Sequence, residues 1–223
     1  MHPTQSQLYA DHYNHLRLLR FLEAEVDCFE CGEDWHVRLP VILEIFDYLH
    51  AYPERRHHPI EEAAFELLLK KGVDNSEDIW AIRAEHTKLE ELTRKASQLF
   101  TAVANDIVIS KEELVFVTKA FLTRQFEHIY RENFEFYPVF ERDISDKEWD
   151  SIERKVDKKY GVQPKNVLCD EYKNIYKTIL HFDKETNPEA IARSINSISA
   201  RASKRASNKQ YQTDKEKTKS IIH

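Results

Sequence analysis

The sequence predicts an all-α protein: an antiparallel up-down four-helix bundle extended by one or two accessory C-terminal helices and a flexible tail. Three observations predict it. Only three of the 223 residues are glycine, against roughly 7% in average usage, so tight hairpins have little to be built from, while strong helix formers abound. Apolar residues recur at the spacing of one helix face in four successive stretches. Capping residues, glycines or prolines punctuate each stretch, and four helices of about 20–30 residues with short connections pack antiparallel by default.

The first helix covers Leu8 to Phe29, with Leu16, Leu19, Leu22 and Val26 on one face and Gly32 placed to cap its end. A second begins near Trp35, carries Leu39, Ile42, Ile45, Phe46 and Leu49, resumes at Ala63, Phe65, Leu67 and Leu68, and stops at Gly72. Pro53 and Pro59 kink or split it, because each removes a backbone donor and crowds the preceding turn. Asn75-Ser76-Glu77-Asp78 offers N-cap chemistry for a third helix from about Ile79 to Ala104. Ser110 followed by Glu113 reads as a capping box opening a fourth, Lys111 to about Tyr137, ended by Pro138. Ser145-Asp146-Lys147-Glu148 starts an accessory helix that lays Trp149 and Ile152 on the bundle, and a weaker amphipathic stretch runs from Leu168 to Phe182. The division is therefore 1–145 for the bundle, 146–182 for accessory helices, and 183–223 for a basic, Ser-rich tail that is mobile or marginally helical.

Composition narrows the function. No stretch approaches the ~18 consecutive apolar residues of a spanning helix, and the N-terminus lacks the basic-then-apolar order of a signal peptide, so a cytoplasmic protein without membrane contact is expected. Cys28, Cys31 and Cys169 are too few for a disulfide framework, and the Cys28/Cys31 pair lacks the second pair of a zinc site. From Asp183 onward nine Lys/Arg face five Asp/Glu, a net of +4 that leaves −10 on the first 182 residues. So acidic a body is a poor nucleic-acid binder, while the tail suits an acidic protein partner.

The chemistry lies in the histidines. Each bundle helix carries one, His12, His57, His86 and His128, and two are followed by a glutamate one turn on, Glu61 and Glu132. An i, i+4 pair puts imidazole and carboxylate on one face, about 6 Å apart at Cβ. One ligand-bearing face per helix, all pointed inward, is how bundle cores build two-metal sites. Mixed imidazole and carboxylate donors without thiolate suit iron, manganese or zinc. A carboxylate from each of two helices can bridge two cations and offset their repulsion.

These residues carry a resemblance. Asp11-His12-Tyr13-Asn14 with Leu18-Leu19, then Tyr52-Pro53-Glu54-Arg55-Arg56-His57-His58-Pro59-Ile60-Glu61-Glu62, then Glu85-His86 with Leu89, and His128-Ile129-Tyr130-Arg131-Glu132 with Phe136-Tyr137-Pro138 resemble, in order, the four motifs of the hemerythrin family, in its HHE cation-binding branch. The likeness spans about residues 8–155. It implies that His12, His57, Glu61, His86, His128 and Glu132 occupy the family's ligand positions. His58 falls where an iron-sensing relative uses an acidic ligand and is the candidate for a seventh. Two departures stand out: Glu90 lies where oxygen carriers place a second third-helix histidine, and Asn133 replaces the second acid of the fourth motif. Both argue against reversible oxygen carriage by the familiar mechanism.

The resemblance implies a non-haem di-iron protein, two Fe per chain with Zn or Mn as alternatives, that binds or senses O2, NO, peroxide or iron itself. A di-iron enzyme acting on peroxide or nitric oxide, and a metal-regulated interaction module, are the other readings. His15, one turn from His12, is expected to be a partly exposed histidine or an outer ligand, and His50 and Tyr52 to orient ligands or merely to pack. Phe126, Tyr130, Phe134 and Phe136 are expected mostly in the core, and Glu62, Glu90 and Glu135 in solvent.

Overall fold

The prolines and caps divide the chain much as its sequence suggests, with two additions that position the centre. The structure is a computed structural model and describes residues 1–31, 38–73, 76–162 and 171–185. Among these residues the chain is all-helical. Helix α1 runs over Pro3–Glu30, opened by Pro3 in its first turn and by the His2 ring, which accepts from the Thr4 N–H. Helix α2, Leu39–Tyr52, buries Ile42, Ile45, Phe46 and Leu49 at the spacing of one face.

At Pro53 the regular helix stops. A wider π-helical turn, Pro53–His57, leads into α3, His58–Lys71. Proline has no N–H to give the preceding turn, and Pro53 and Pro59 bracket this segment, so the backbone winds loosely between them. Gly72, at φ +72°, ends α3 in the left-handed conformation that a side chain would resist. Helix α4, Ser76–Ala104, buries Ile79, Ile82, His86, Leu89, Thr93, Ala96 and Phe100, steps of three and four throughout. Helix α5, Lys111–Arg131, starts where the Ser110 hydroxyl accepts from the Glu113 N–H. The fourth helix is not continuous to Tyr137 as its pattern suggests. A second π turn, Glu132–Phe136, intervenes ahead of Pro138, and α6 covers Tyr137–Asp143.

Helix α7, Asp146–Tyr160, begins in a capping box, the Glu148 carboxylate accepting from the Ser145 N–H at 2.9 Å. It buries Trp149, Ile152 and Val156. Helix α8, Lys173–Glu185, buries Ile175 and Ile179. Residues 1–179 form one compact unit; of a second, 180–223, only the end of α8 is described. The expected Gly32 cap, the start near Trp35, Cys169 and the tail from residue 186 on lie outside the described residues. No described helix is long and apolar enough to cross a membrane.

Two apolar clusters flank a polar layer. Toward one end Leu8, Ile60, Phe65, Ile79, Ile82, Phe136, Phe140 and Trp149 pack together. Toward the other, Phe46 meets Phe100 and Phe121 at ring distances of 5.3 and 5.5 Å. Between them, along each long helix, the buried stripe turns polar: Asp11, His12 and His15 on α1, His86 on α4, His128 and then Glu132 on the fourth segment. A fully buried apolar side chain contributes about 1.5–3 kcal/mol. A buried carboxylate left unpaired costs several kcal/mol, so the middle layer has to be matched by something.

Candidate metal centre

Helical spacing and the two π turns bring the seven residues singled out in the sequence to one place, in two donor groups. His12 and His57 with Glu61 and Glu132 form the first, and His58, His86 and His128 the second. Within each group one donor atom per residue lies within 4.8 Å of all the others.

The two carboxylates join the groups. Glu132 Oε2 is 3.2 Å from His12 Nε2, while its Oε1 is 3.2 Å from His86 Nε2 and 3.1 Å from His128 Nε2. Glu61 Oε1 is 3.4 Å from His57 Nε2 and 3.9 Å from His12 Nε2, and its Oε2 is 3.6 Å from His86 Nε2. Each carboxylate thus shows one oxygen to each group. Adjacent residues on a helix point about 100° apart, so His57, closing the first π turn, and His58, opening α3, serve different groups, with Glu61 one turn on between them. Glu132 opens the second π turn one turn after His128.

An outer layer fixes the rings. His12 Nδ1 lies 2.9 Å from Asn133 Oδ1, and His57 Nδ1 3.2 Å from Asp11 Oδ2. His86 Nδ1 lies 3.0 Å from Glu62 Oε1, and His128 Nδ1 3.1 Å from Glu85 Oε2. All four partners are oxygen acceptors, so each Nδ1 carries the proton and donates it, which leaves each Nε2 directed inward as a ligand atom. The partners are held in turn: Asp11 accepts from the Tyr52 hydroxyl at 3.0 Å and from Gln7 at 2.8 Å, Glu62 from Arg83 at 2.6 Å, and Glu85 from Arg131.

The donor set fits cations. Without them, protons balance the buried carboxylates. Burial lowers the His57 imidazole, but Glu61 and Asp11 outweigh it and raise it to about 9. His86 behaves alike, burial being overcome by Glu132 and Glu62 to reach about 10. Burial pushes Glu132 upward, yet His128, His12 and His86 hold it well below the usual carboxylate range. His58 is driven the other way, by burial and by the His86, His57 and His128 rings, and stays neutral. Protons do not satisfy everything: among the described residues His58 Nδ1, Glu61 Oε2, His128 Nε2 and Glu132 Oε2 are buried without a hydrogen-bond partner. His12 Nε2 and His57 Nε2 also face each other at 2.9 Å. A cation in each group would take up these lone pairs and the carboxylate charge together.

Several residues stand otherwise than expected. Glu62, expected in solvent, is half-buried against His86 and Arg83, because α3 turns it toward α4. His15 is buried rather than partly exposed, since i+3 from His12 is the same inward face, and it joins neither donor group. Tyr52 donates to Asp11, which in turn holds the His57 ring, while His50 pairs with Glu54. Phe136 is in the core, but Phe134 is 51% exposed. Cys28 and Cys31 are exposed at the end of α1. The sequence reading missed Asp11, Glu85 and Tyr137 as partners of the centre and registered Asn133 only as a departure. The Tyr137 hydroxyl donates to Glu61 Oε1 at 2.5 Å and stands 3.2 Å from His12 Nε2, its ring stacked on that imidazole.

Comparison with curated proteins gave no significant match. Comparison with protein families matches residues 4–140 to the Hemerythrin HHE cation binding domain. The matched segment is more than half of the chain and contains both donor groups and their outer partners. On sequence and on the arrangement of its buried imidazoles and carboxylates, the chain belongs to the hemerythrin HHE cation-binding domain family.

Proposed function

We propose that the chain is a non-haem di-iron protein that binds or senses a small ligand, O2, NO or peroxide, at two irons held between the legs of an antiparallel four-helix bundle. The observation that carries this reading is the sharing of Glu61 and Glu132, each with one oxygen toward His12 and His57 or His12 alone and the other toward the second group. His12 and His57 would hold one iron, His58, His86 and His128 the other, with both carboxylates between them. Nitrogen and oxygen donors without a thiolate favour iron over copper(I) or an iron–sulfur cluster. Bound iron supplies a redox couple and, where its coordination is incomplete, a position for a small ligand.

The chain's own residues do the rest. Asp11, Asn133, Glu62 and Glu85 fix the tautomer and direction of four imidazoles, and raise their basicity as ligands. Tyr137 holds the Glu61 carboxylate in place from the apolar end, where Phe136 and Phe140 exclude water. The two buried carboxylates offset half of the charge of two divalent ions.

Metal analysis of protein from iron-supplemented cells tests the reading, with Glu61→Ala and His128→Ala alongside. We expect two irons per chain in the parent and fewer in either variant; an iron content near zero in the parent, or one untouched by both substitutions, would overturn it. Oxygen titration of anaerobically reconstituted protein tests the redox part. Absorption between roughly 320 and 500 nm, where ferric iron with these ligands absorbs, has to change.

A further inference from the structure

Beside the centre lies a cavity of about 20 Å³ walled by side chains from all four legs of the bundle. That is room for about one water-sized species. Its outer part is lined by Glu54 and Glu90, both exposed, and by His50, whose Nδ1 stands 3.5 Å from Glu54 Oε1. Its inner part is lined by His15 and His58. His58 belongs to the three-imidazole group. His15 is 5% exposed, its Nε2 has no hydrogen-bond partner, and its ring lies 5.3 Å from that of His57 in the other group. Side chains with metal-ligating atoms therefore line the cavity from its exposed residues to His58 of one donor group, with His15 beside His57 of the other, and none of Glu54, Glu90, His15 and His50 belongs to either group.

We propose that this cavity is the route by which a divalent cation reaches the centre, with Glu54 and Glu90 gathering it at the rim and His15 Nε2 taking it up on the way to His57 or His58. The inference rests on the two-metal reading above and adds how the metals arrive. A hydrated divalent ion is larger than the cavity, so it has to exchange waters for side-chain donors as it passes. The rim supplies carboxylate oxygens and the wall an imidazole nitrogen that nothing else uses. Two like charges at the rim also select the passenger: they draw in a cation and do nothing for a neutral molecule. Burial and the facing Glu54 carboxylate raise Glu90, against an opposite pull from His86 and His50.

Uptake kinetics test the route separately from the site. Metal-free full-length protein is mixed with cobalt(II) chloride without oxygen, and the visible bands of the bound ion are followed in time and at the end point. A charged cleft raises association rates by 10- to 1,000-fold. We expect Glu54→Gln/Glu90→Gln to slow uptake about tenfold and to flatten its dependence on ionic strength, while two ions per chain are still bound at the end. Glu112→Gln/Glu113→Gln, which removes two exposed charges at the start of α5, should leave the rate within twofold of the parent. His15→Leu should also slow uptake without lowering the final content; if circular dichroism shows that this core variant does not fold, the rim variant alone decides. A rim variant as fast as the parent, or a control equally slow, overturns the route and leaves the two-metal site standing. A rim variant that binds fewer ions at the end makes these carboxylates ligands instead and also overturns it. A parent that takes up no cobalt fails both readings.

Discussion

Asp11→Asn probes the outer layer with a change of charge and almost none of shape. The Asp11 carboxylate accepts from Tyr52, Gln7 and the Nδ1–H of His57. The amide can offer only one oxygen to these three donors. A hydrogen bond to a charged group contributes about 1.5–3 kcal/mol and a neutral one about 0.5–1.5, so His57 loses roughly 1–1.5 kcal/mol of support as a ligand. At about 1.4 kcal/mol per decade this predicts metal affinity roughly tenfold weaker at the His12/His57 position, within the range known for such outer partners. The other position should hold its affinity, because His86 and His128 donate to Glu62 and Glu85. Competition against a chromophoric chelator resolves the two steps. Glu85→Gln should weaken the opposite step, and by less, since that side chain is 37% exposed and water can replace it. Equal weakening of both steps by Asp11→Asn, or of neither, would refute the argument that each outer partner acts through its own imidazole.

Loading should expel protons. With His57 raised to about 9 and His86 to about 10 in the metal-free chain, both are charged at pH 7, so calorimetry in buffers of different ionisation enthalpy should report net proton release and an affinity that falls as pH is lowered. The same raised values add stability to the metal-free fold that is complete below the unfolded imidazole value of about 6.5 and is lost as pH climbs through 9 to 10; chemical denaturation of the metal-free form should show that decline. Glu148, drawn down to about 2 chiefly by Lys71 and the Ser145 cap, runs in the opposite direction. Glu148→Ala should cost less than about 1 kcal/mol at pH 7, the upper end for an exposed ion pair, a difference that holds above the unfolded value near 4.5 and shrinks toward pH 2; urea titrations across that range check it.

The inward faces could be read from spacing because a helix repeats its own geometry: His57 with Glu61 and His128 with Glu132 needed only the rule of four. The paired prolines likewise announced a break in the second helix. The π turns are not legible in detail, since a proline shows that a hydrogen bond is missing but not how many residues the backbone takes to recover; the pattern of Glu132–Phe136 fits a regular helix equally well. The outer partners were least visible. Asn133 reaches His12 across 121 positions and Glu85 reaches His128 across 43, and no local period encodes a contact between helices. Glu62 looks like any surface acid until α3 and α4 are packed together.

The first π turn has a brace that lies outside the family-matched segment. Arg56, buried beside His57, donates to Glu153 and Asp157 of α7, and the same helix drives Trp149 against Phe140. A strut contributed by residues past 140 therefore sets the stiffness of the very bend that aims His57. The stretch recognisable by descent and the stretch that works as one mechanical part have different ends.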